Sequence, residues 1–187
     1  MATPIVHASM GLIITSSAIM VLNVEPWFRD DKQWKMYSAT IVFSTLFSCL
    51  PDLDLLFSYI TTGDVRTYHF GITHSFFFCF IVWAAIRAGF NPKLSNLALV
   101  LLLSHVLVDS FTGEAFGMSK TSGIQFLLPF SSQVFVFDFT IFPGIDHSDW
   151  WLPDNVLRIF FDIIIFAPMA LAYTRVAINH SKSRLVQ

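Results

Sequence analysis

The sequence predicts an all-α integral membrane bundle of about five transmembrane helices with an extracytoplasmic cap loop. Hydrophobic residues make up 55% of its 187 residues, only 13% are charged, and 21 are phenylalanine. The mean hydropathy of +0.63 lies outside the usual range of soluble domains. The formal net charge of −2 provides no strongly basic surface, so nucleic acid is not expected as a direct partner.

Five apolar runs approach the length of about 20 residues that a helix needs to cross a hydrocarbon core of about 30 Å. Charged residues, prolines or glycines separate them. The tight turn Asn91-Pro92-Lys93 between the third and fourth runs is typical of antiparallel helix pairs. The predicted spans are 5–24, 36–60, 75–90, 94–111 and 156–178, within a single membrane-embedded domain covering residues 1–187.

Residues 112–155, between the fourth and fifth spans, are too apolar for a linker and predict an ordered cap or re-entrant segment. The stretch 133–142, QVFVFDFTIF, alternates weakly like a strand, and Trp150-Trp151 suits a membrane interface. We expect this cap to shape a substrate groove. It also contains a secondary cluster of Asp146, His147 and Asp149, for which a solvated loop is the competing interpretation.

The distribution of basic residues predicts the orientation, because Lys and Arg of short loops are retained on the cytoplasmic side. Five spans place Arg66, Lys120 and Arg158 on one side. They place eight on the other: Arg29, Lys32, Lys35, Arg87, Lys93, Arg175, Lys182 and Arg184. The N-terminus is therefore expected outside and the C-terminus in the cytoplasm.

Seven ionisable residues lie near span ends that share the outer face under this topology. Ionisable groups within a membrane are costly unless they are paired or functional, so their one-sided placement indicates a site. They are His7, Asp52, Asp54, His69, His74, His105 and Asp109.

The motifs that contain these residues each allow a second interpretation. In HVLVD, His105 and Asp109 are four apart and share a helix face, which suits one ion but also an interhelical hydrogen bond. In PDLD, Pro51 interrupts the helix just before two carboxylates. Either both carboxylates point inward from irregular backbone, or they belong to a solvated helix end.

HFGITHS, residues 69–75, has a glycine between its two histidines that permits a close turn. The alternative is that one histidine lies at the interface and the other belongs to a helix cap. His7, taken alone, also fits a satisfied interface histidine.

Imidazoles mixed with carboxylates suit Zn²⁺ best, with Mn²⁺ or Fe²⁺ as alternatives. Four histidines and three aspartates exceed one tetrahedral shell. Either two ions bind, about 3.5–4 Å apart with a bridging water, or some residues orient the ligands of one ion and serve as a general base. The preferred ligands are His7, Asp52, His69, His105 and Asp109. Asp54 is a candidate ligand or general base, and His74 a candidate ligand or proton donor.

The ordered set of motifs resembles the YdjM-like family of bacterial inner-membrane proteins, described as LexA-binding, membrane-associated, metal-dependent hydrolases. It comprises His7 with Gly11, PDLD at 51–54, HFGITHS at 69–75, HVLVD at 105–109 with Thr112, and GIQFLLPFS at 123–131.

One position departs from the family pattern, in which arginine follows the first histidine of the HRGxTHS motif. This chain has Phe70 there, so an anion clamp at that position is absent unless Arg66 replaces it. A more distant likeness is to zinc-dependent phospholipase C and zinc nucleases. It implies ligands at His7, Asp52 or Asp54, His69, His105 and Asp109.

These observations predict a metal-dependent hydrolase that cleaves an ester or phosphoester bond of a lipid or lipid-linked substrate at the outer face. A scaffold or partner-binding protein with a structural metal is the alternative. A metal transporter fits less well, because transport requires ligands near the midplane and access from both faces.

Overall fold

The computed structural model describes residues 2–21, 33–89, 91–146 and 151–185, and it confirms an all-α membrane bundle. The helices are α1 (Pro4–Val21), α2 (Gln33–Cys49), α3 (Leu53–Thr62), α4 (Phe76–Gly89), α5 (Pro92–Ser110) and α6 (Pro153–Leu185). Two 3-10 turns, Leu50–Asp52 and Ile72–His74, precede α3 and α4. Strands β1 (Thr112–Gly113) and β2 (Phe142–Pro143) are two residues each.

Four helical stretches in the described ranges are long and apolar enough to cross a membrane: Pro4–Val21, Trp34–Thr62, Pro92–Ser110 and Pro153–Ser181. Helix α4 occupies the predicted third span but has only 14 residues. That length is below the roughly 20 residues of a typical spanning helix. The bundle therefore has four full-length candidates and one shorter apolar helix.

Pro51 marks the junction between α2 and α3. Proline has no backbone N–H, and residues Leu50–Asp52 adopt a 3-10 turn instead of continuing the α-helix. Helix α3 then ends at Gly63, whose φ of 77° lies in the left-handed region that glycine adopts readily. Asp52 is the last residue of the 3-10 turn, and Asp54 lies in the first turn of α3.

Helix α1 lies at the centre and contacts α2, α5 and α6. It runs parallel to α6, because Thr3 hydrogen-bonds Asp162 near the start of both helices and Ser16 hydrogen-bonds Thr174 further along. Such interhelical bonds between small polar side chains stabilise packing where lipid removes the hydrophobic driving force. The start of α1 and the start of α6 therefore lie at the same end of the bundle.

Helices α1 and α2 approach closely at Gly11. A β-carbon on Gly11 would lie 2.6 Å from Ser48 Oγ and 2.9 Å from the Ser44 carbonyl oxygen. The neighbouring Ser44 hydroxyl donates to Thr15 Oγ1 at 2.8 Å, which ties the two helices together. Only glycine permits this separation, a common use of small residues between membrane helices.

The segment after α5 is an ordered cap of mostly irregular backbone. Parallel pairing of β1 with β2 closes it, and isolated bridges join Gly117 to Thr140 and Ile124 to Phe135. Within the stretch 133–142, Phe135 and Thr140 form single bridges and Phe142 begins β2, so the stretch is not the continuous strand that its alternation suggested. Trp151 is exposed, whereas Trp150 lies outside the described residues.

We predict that Gly11→Ala destabilises the protein by about 1–3 kcal/mol, because the added methyl group must push α1 away from α2. The detergent melting temperature should fall accordingly. Gly89→Ala is the matched control, since nothing lies within 4 Å of a β-carbon there. Equal melting temperatures for the two variants would contradict the close approach.

Candidate metal centre

The seven histidines and aspartates singled out above form one connected network at the end of the bundle where α1 begins and α5 ends. His7 lies on α1, and Asp52 and Asp54 lie at the α2–α3 junction. The loop between α3 and α4 supplies two histidines, and the last two turns of α5 supply the remaining pair. Those four residues are His69, His74, His105 and Asp109.

Four of these residues face a common point and could hold a metal ion: Asp52, His74, His105 and Asp109. The Nε2 atoms of His74 and His105 are 3.1 Å apart. His105 Nε2 lies 3.3 Å from Asp52 Oδ1 and 3.2 Å from Asp109 Oδ2. His74 Nε2 lies 3.6 Å and 3.4 Å from the same two oxygens. All four side chains are nearly or completely buried.

Several buried atoms in this group lack a hydrogen-bond partner despite their close neighbours. They include both carboxylate oxygens of Asp52 and Oδ2 of Asp109. Buried carboxylate oxygens without partners are costly, and native proteins rarely leave them so. A cation at the common point would satisfy them, because each oxygen would supply a lone pair to it.

The orientation of His105 suits such a role. Its Nδ1 lies 2.7 Å from the carbonyl oxygen of Ser48, which is among the last four carbonyls of α2 and has no partner within that helix. A carbonyl only accepts hydrogen bonds, so His105 Nδ1 carries the proton and Nε2 presents its lone pair. A hydrogen bond of this kind to the outer nitrogen is typical of metal-binding histidines.

Asp54 orients His74 in a similar way. Its Oδ2 accepts from Thr73 Oγ1 at 2.6 Å and lies 3.2 Å from His74 Nδ1, while its Oδ1 lies 3.0 Å from His69 Nδ1. The group Asp54, His69 and His74 is also a set that could hold an ion. Thr73 donates its hydroxyl proton to the carboxylate of Asp54. His74 Nδ1 is therefore the donor in its own contact with that carboxylate.

The carboxylates also govern the charge of His74. Burial by itself would lower the pKa of His74, but the neighbouring carboxylates of Asp109, Asp52 and Asp54 raise that pKa well above its usual value. The surroundings therefore attract positive charge strongly. A metal ion that binds Nε2 would take the place of the proton there.

His7 is adjacent to the four-residue group but not within it. Its Nε2 lies 3.3 Å from Asp109 Oδ1, the oxygen opposite the one that faces His105. Its ring stacks on that of His105 with centroids 3.8 Å apart. The backbone N–H of Ala2 also donates to Asp109 Oδ1 at 3.3 Å. His7 thus contacts both Asp109 and His105 and supports their positions.

Three contributors to the site escaped the sequence interpretation: Thr73, the Ser48 carbonyl and the Ala2 N–H. Thr73 is detectable in principle, because its hydroxyl lies between the two histidines of HFGITHS. A backbone carbonyl or N–H carries no residue-specific signal. In the secondary cluster, Asp146 lines a separate charged cavity, and His147 and Asp149 lie outside the described residues.

Fold and site together define an integral membrane protein with a buried histidine–aspartate cluster that could hold a metal ion. The model of the YdjM inner membrane protein family matches residues 1–186. The chain therefore belongs to the YdjM inner membrane protein family, as its motifs indicated. No curated protein and no solved structure matches it.

We predict that the purified protein binds a divalent metal ion and that His74→Ala removes most of it. His74 takes part in both sets that could hold an ion, so its loss should weaken binding by more than the roughly 10–100-fold typical of residues that only orient ligands. His180→Ala is the control, because His180 lies on α6 outside the network. Equal metal content in both variants by mass spectrometry would argue against the site.

Proposed function

We propose that this protein is a metal-dependent hydrolase that cleaves an ester or phosphoester bond of a lipid or lipid-linked substrate at the outer face of the membrane. The observation that carries the proposal is the convergence of two imidazoles and two carboxylates beside a large apolar cavity. That cavity has a volume of about 970 Å³, and Asp54 and His69 line it. A site between a ligand cluster and an apolar cavity suits a hydrophobic substrate.

The distances within the cluster support zinc as the ion. Ligands about 2.0–2.2 Å from a tetrahedral zinc ion lie about 3.3–3.6 Å from one another. The five separations in the four-residue group that involve a histidine Nε2 range from 3.1 to 3.6 Å. Mixed imidazole and carboxylate ligands also favour zinc over magnesium or calcium. A second ion at Asp54 and His69 would bind the other nitrogen of His74, Nδ1, and would displace the proton there.

Each residue then has a distinct role. Asp52, His74, His105 and Asp109 would hold the ion, and the Ser48 carbonyl and Asp54 would hold the two imidazoles in the required tautomer. Bound divalent metal lowers the pKa of coordinated water toward about 7 and polarises the scissile bond. Asp54 and His74 remain the candidates for proton transfer, because Asp54 lines the cavity and its Oδ2 lies 3.2 Å from His74 Nδ1.

A structural metal in a non-enzymatic scaffold is the second candidate. Four protein ligands complete a tetrahedral shell, and closed shells are typical of structural zinc sites. The side chain of Asp52 is the most exposed of the four at 9%, so it is the ligand best able to give up its position to water or substrate. The enzyme therefore requires Asp52 to move, whereas the scaffold requires it to stay.

The orientation that we propose places the N-terminus and the cluster at the outer face and the C-terminus in the cytoplasm. The count of basic residues supports it. The helix directions are compatible with it, because α1 and α6 both start at the cluster end and run parallel to each other.

We predict that His105→Ala and Asp109→Ala each abolish metal-dependent hydrolysis of a lipid ester and phosphoester panel while the protein remains inserted. Both side chains lie at a helix end, so their truncation removes ligands more than packing volume from the centre of the bundle. An interhelical hydrogen bond averages under about 1 kcal/mol in membranes, and its loss alone should leave activity nearly intact.

The controls are His180→Ala and Asp138→Ala, which should retain full activity. Hydrolysis at the wild-type rate in both cluster variants would eliminate the catalytic role. A wild-type protein that hydrolyses nothing but loses thermal stability when its metal is removed would establish the scaffold instead.

We predict that Ser183→Cys resists a membrane-impermeant maleimide in spheroplasts, whereas Lys120→Cys in the cap is labelled. Both substitutions are made in a chain whose Cys49 and Cys79 are replaced by alanine. The reason is the excess of basic residues on the C-terminal side. Labelling at position 183 but not at position 120 would reverse the orientation.

A further inference from the structure

Two cavities meet at His69 and Phe70, and they differ in character. The apolar cavity of about 970 Å³ lies on one side, and a second cavity of about 470 Å³ lies on the other. His69, Phe70 and Ser122 line both. Their volumes are in the range of about 300–1,000 Å³ that is usual for small-molecule sites. A ligand that fills both must cross at these residues.

The first cavity has walls suited to hydrocarbon. Side chains from α3, α4 and the cap line it, among them Leu53, Phe57, Val82 and Ile124. Leu53 and Phe57 are more than half exposed on a helix assigned to the membrane, so the cavity is accessible from the lipid side. Acyl chains would enter without passing through water.

The second cavity, by contrast, carries charges of both signs. Arg66 and Arg158 supply two positive groups. Glu114, Asp146 and Asp154 supply three carboxylates to the same cavity.

Arg158 is held in place by backbone carbonyls. It donates to those of Gly144 and Glu114, which tethers α6 to the cap. Arg66 is more exposed, and its nearest carboxylate, Asp64, is 3.9 Å away. A cavity with both charges repels a purely anionic ligand, because its three carboxylates would face that ligand. It complements a ligand that carries both a positive and a negative charge.

Phe70 lies at the boundary of the two cavities. Its φ of 61° lies in the left-handed region, which is uncommon for a residue with a bulky side chain. The ring packs against the buried cluster of Cys79, Leu102, Val106 and Ile124 and lies 5.3 Å from His74. This packing compensates for the unfavourable backbone conformation and holds the ring at the boundary between the apolar and the charged cavity.

We propose that the two cavities bind one zwitterionic phospholipid, with its acyl chains in the apolar cavity and its phosphate and ammonium groups in the charged cavity. Arg66 faces the phosphate, and the carboxylates face the ammonium group. The phosphate and glycerol region lies at His69 and Phe70, beside the cluster. The identification of this lipid as a substrate rests on the proposed hydrolase function, whereas its binding does not.

Binding is tested with metal-free, full-length protein in an uncharged detergent, so that hydrolysis cannot occur. The probes are spin-labelled phosphatidylcholine, phosphatidylglycerol and diacylglycerol, and the immobilised fraction is measured by electron paramagnetic resonance. We expect phosphatidylcholine to bind at least about tenfold more tightly than the other two, a difference of about 1.4 kcal/mol.

Two variants examine the charged cavity. Arg66→Gln should remove most of the preference over diacylglycerol, which has no phosphate, while the preference over phosphatidylglycerol remains. The Arg66 side chain is exposed, so its replacement leaves the core intact. Glu114→Gln combined with Asp154→Asn should shift the preference toward phosphatidylglycerol, because two of the three carboxylates are gone. Lys93→Gln is the control, since Lys93 lines a separate groove between α1 and α5 and should not alter the preference.

The outcomes separate this inference from the proposed function. Equal immobilisation of the three lipids by the wild type, or a preference for the anionic lipid, overturns the inference even if the metal-loaded protein hydrolyses other esters. Selective binding of phosphatidylcholine without its hydrolysis supports the lipid site and counts against the lipid as substrate.

Discussion

The fold depends on the mutual neutralisation of buried histidines and aspartates inside an apolar bundle. An isolated carboxylate such as Asp109, fully buried, would be prohibitively costly in this environment. The cost falls only when cationic or coordinating partners surround it, and three imidazoles lie within 3.4 Å of its oxygens. The start of α1, the α3–α4 loop and the end of α5 must therefore meet at one place.

This electrostatic requirement explains features of packing that otherwise appear unrelated. Gly11 allows α2 to approach α1, and the same approach brings Ser48 to the position from which its carbonyl orients His105. Pro51 ends α2 so that this carbonyl is free and Asp52 turns inward. A change in helix separation would alter the tautomer and direction of a metal-facing imidazole. Helix packing and site geometry are consequently coupled.

The cap and the α3–α4 loop line the two cavities that lie beside the cluster. His69 and Phe70 lie between an apolar and a charged cavity, and Asp54 links that boundary to His74. Phe70 itself carries no charge, and Arg66 and Arg158 supply guanidinium groups to the adjacent cavity. The positive charge beside this boundary thus comes from neighbouring segments, one of which, α6, is remote in sequence.

The sequence by itself determined the membrane class and the residues that cluster, because long apolar runs and rare ionisable residues at their ends are local properties. Apolar length also predicted α4, although its 14 residues fall short of a full span. The tertiary structure decided how the seven residues divide between the four-residue group and its neighbours. It places four around one point, leaves His7 against the outer oxygen of Asp109, and makes Asp54 a partner of His74. Those distinctions depend on backbone carbonyls, helix separations and side-chain directions to within about 1 Å, and residue spacing carries no information at that scale.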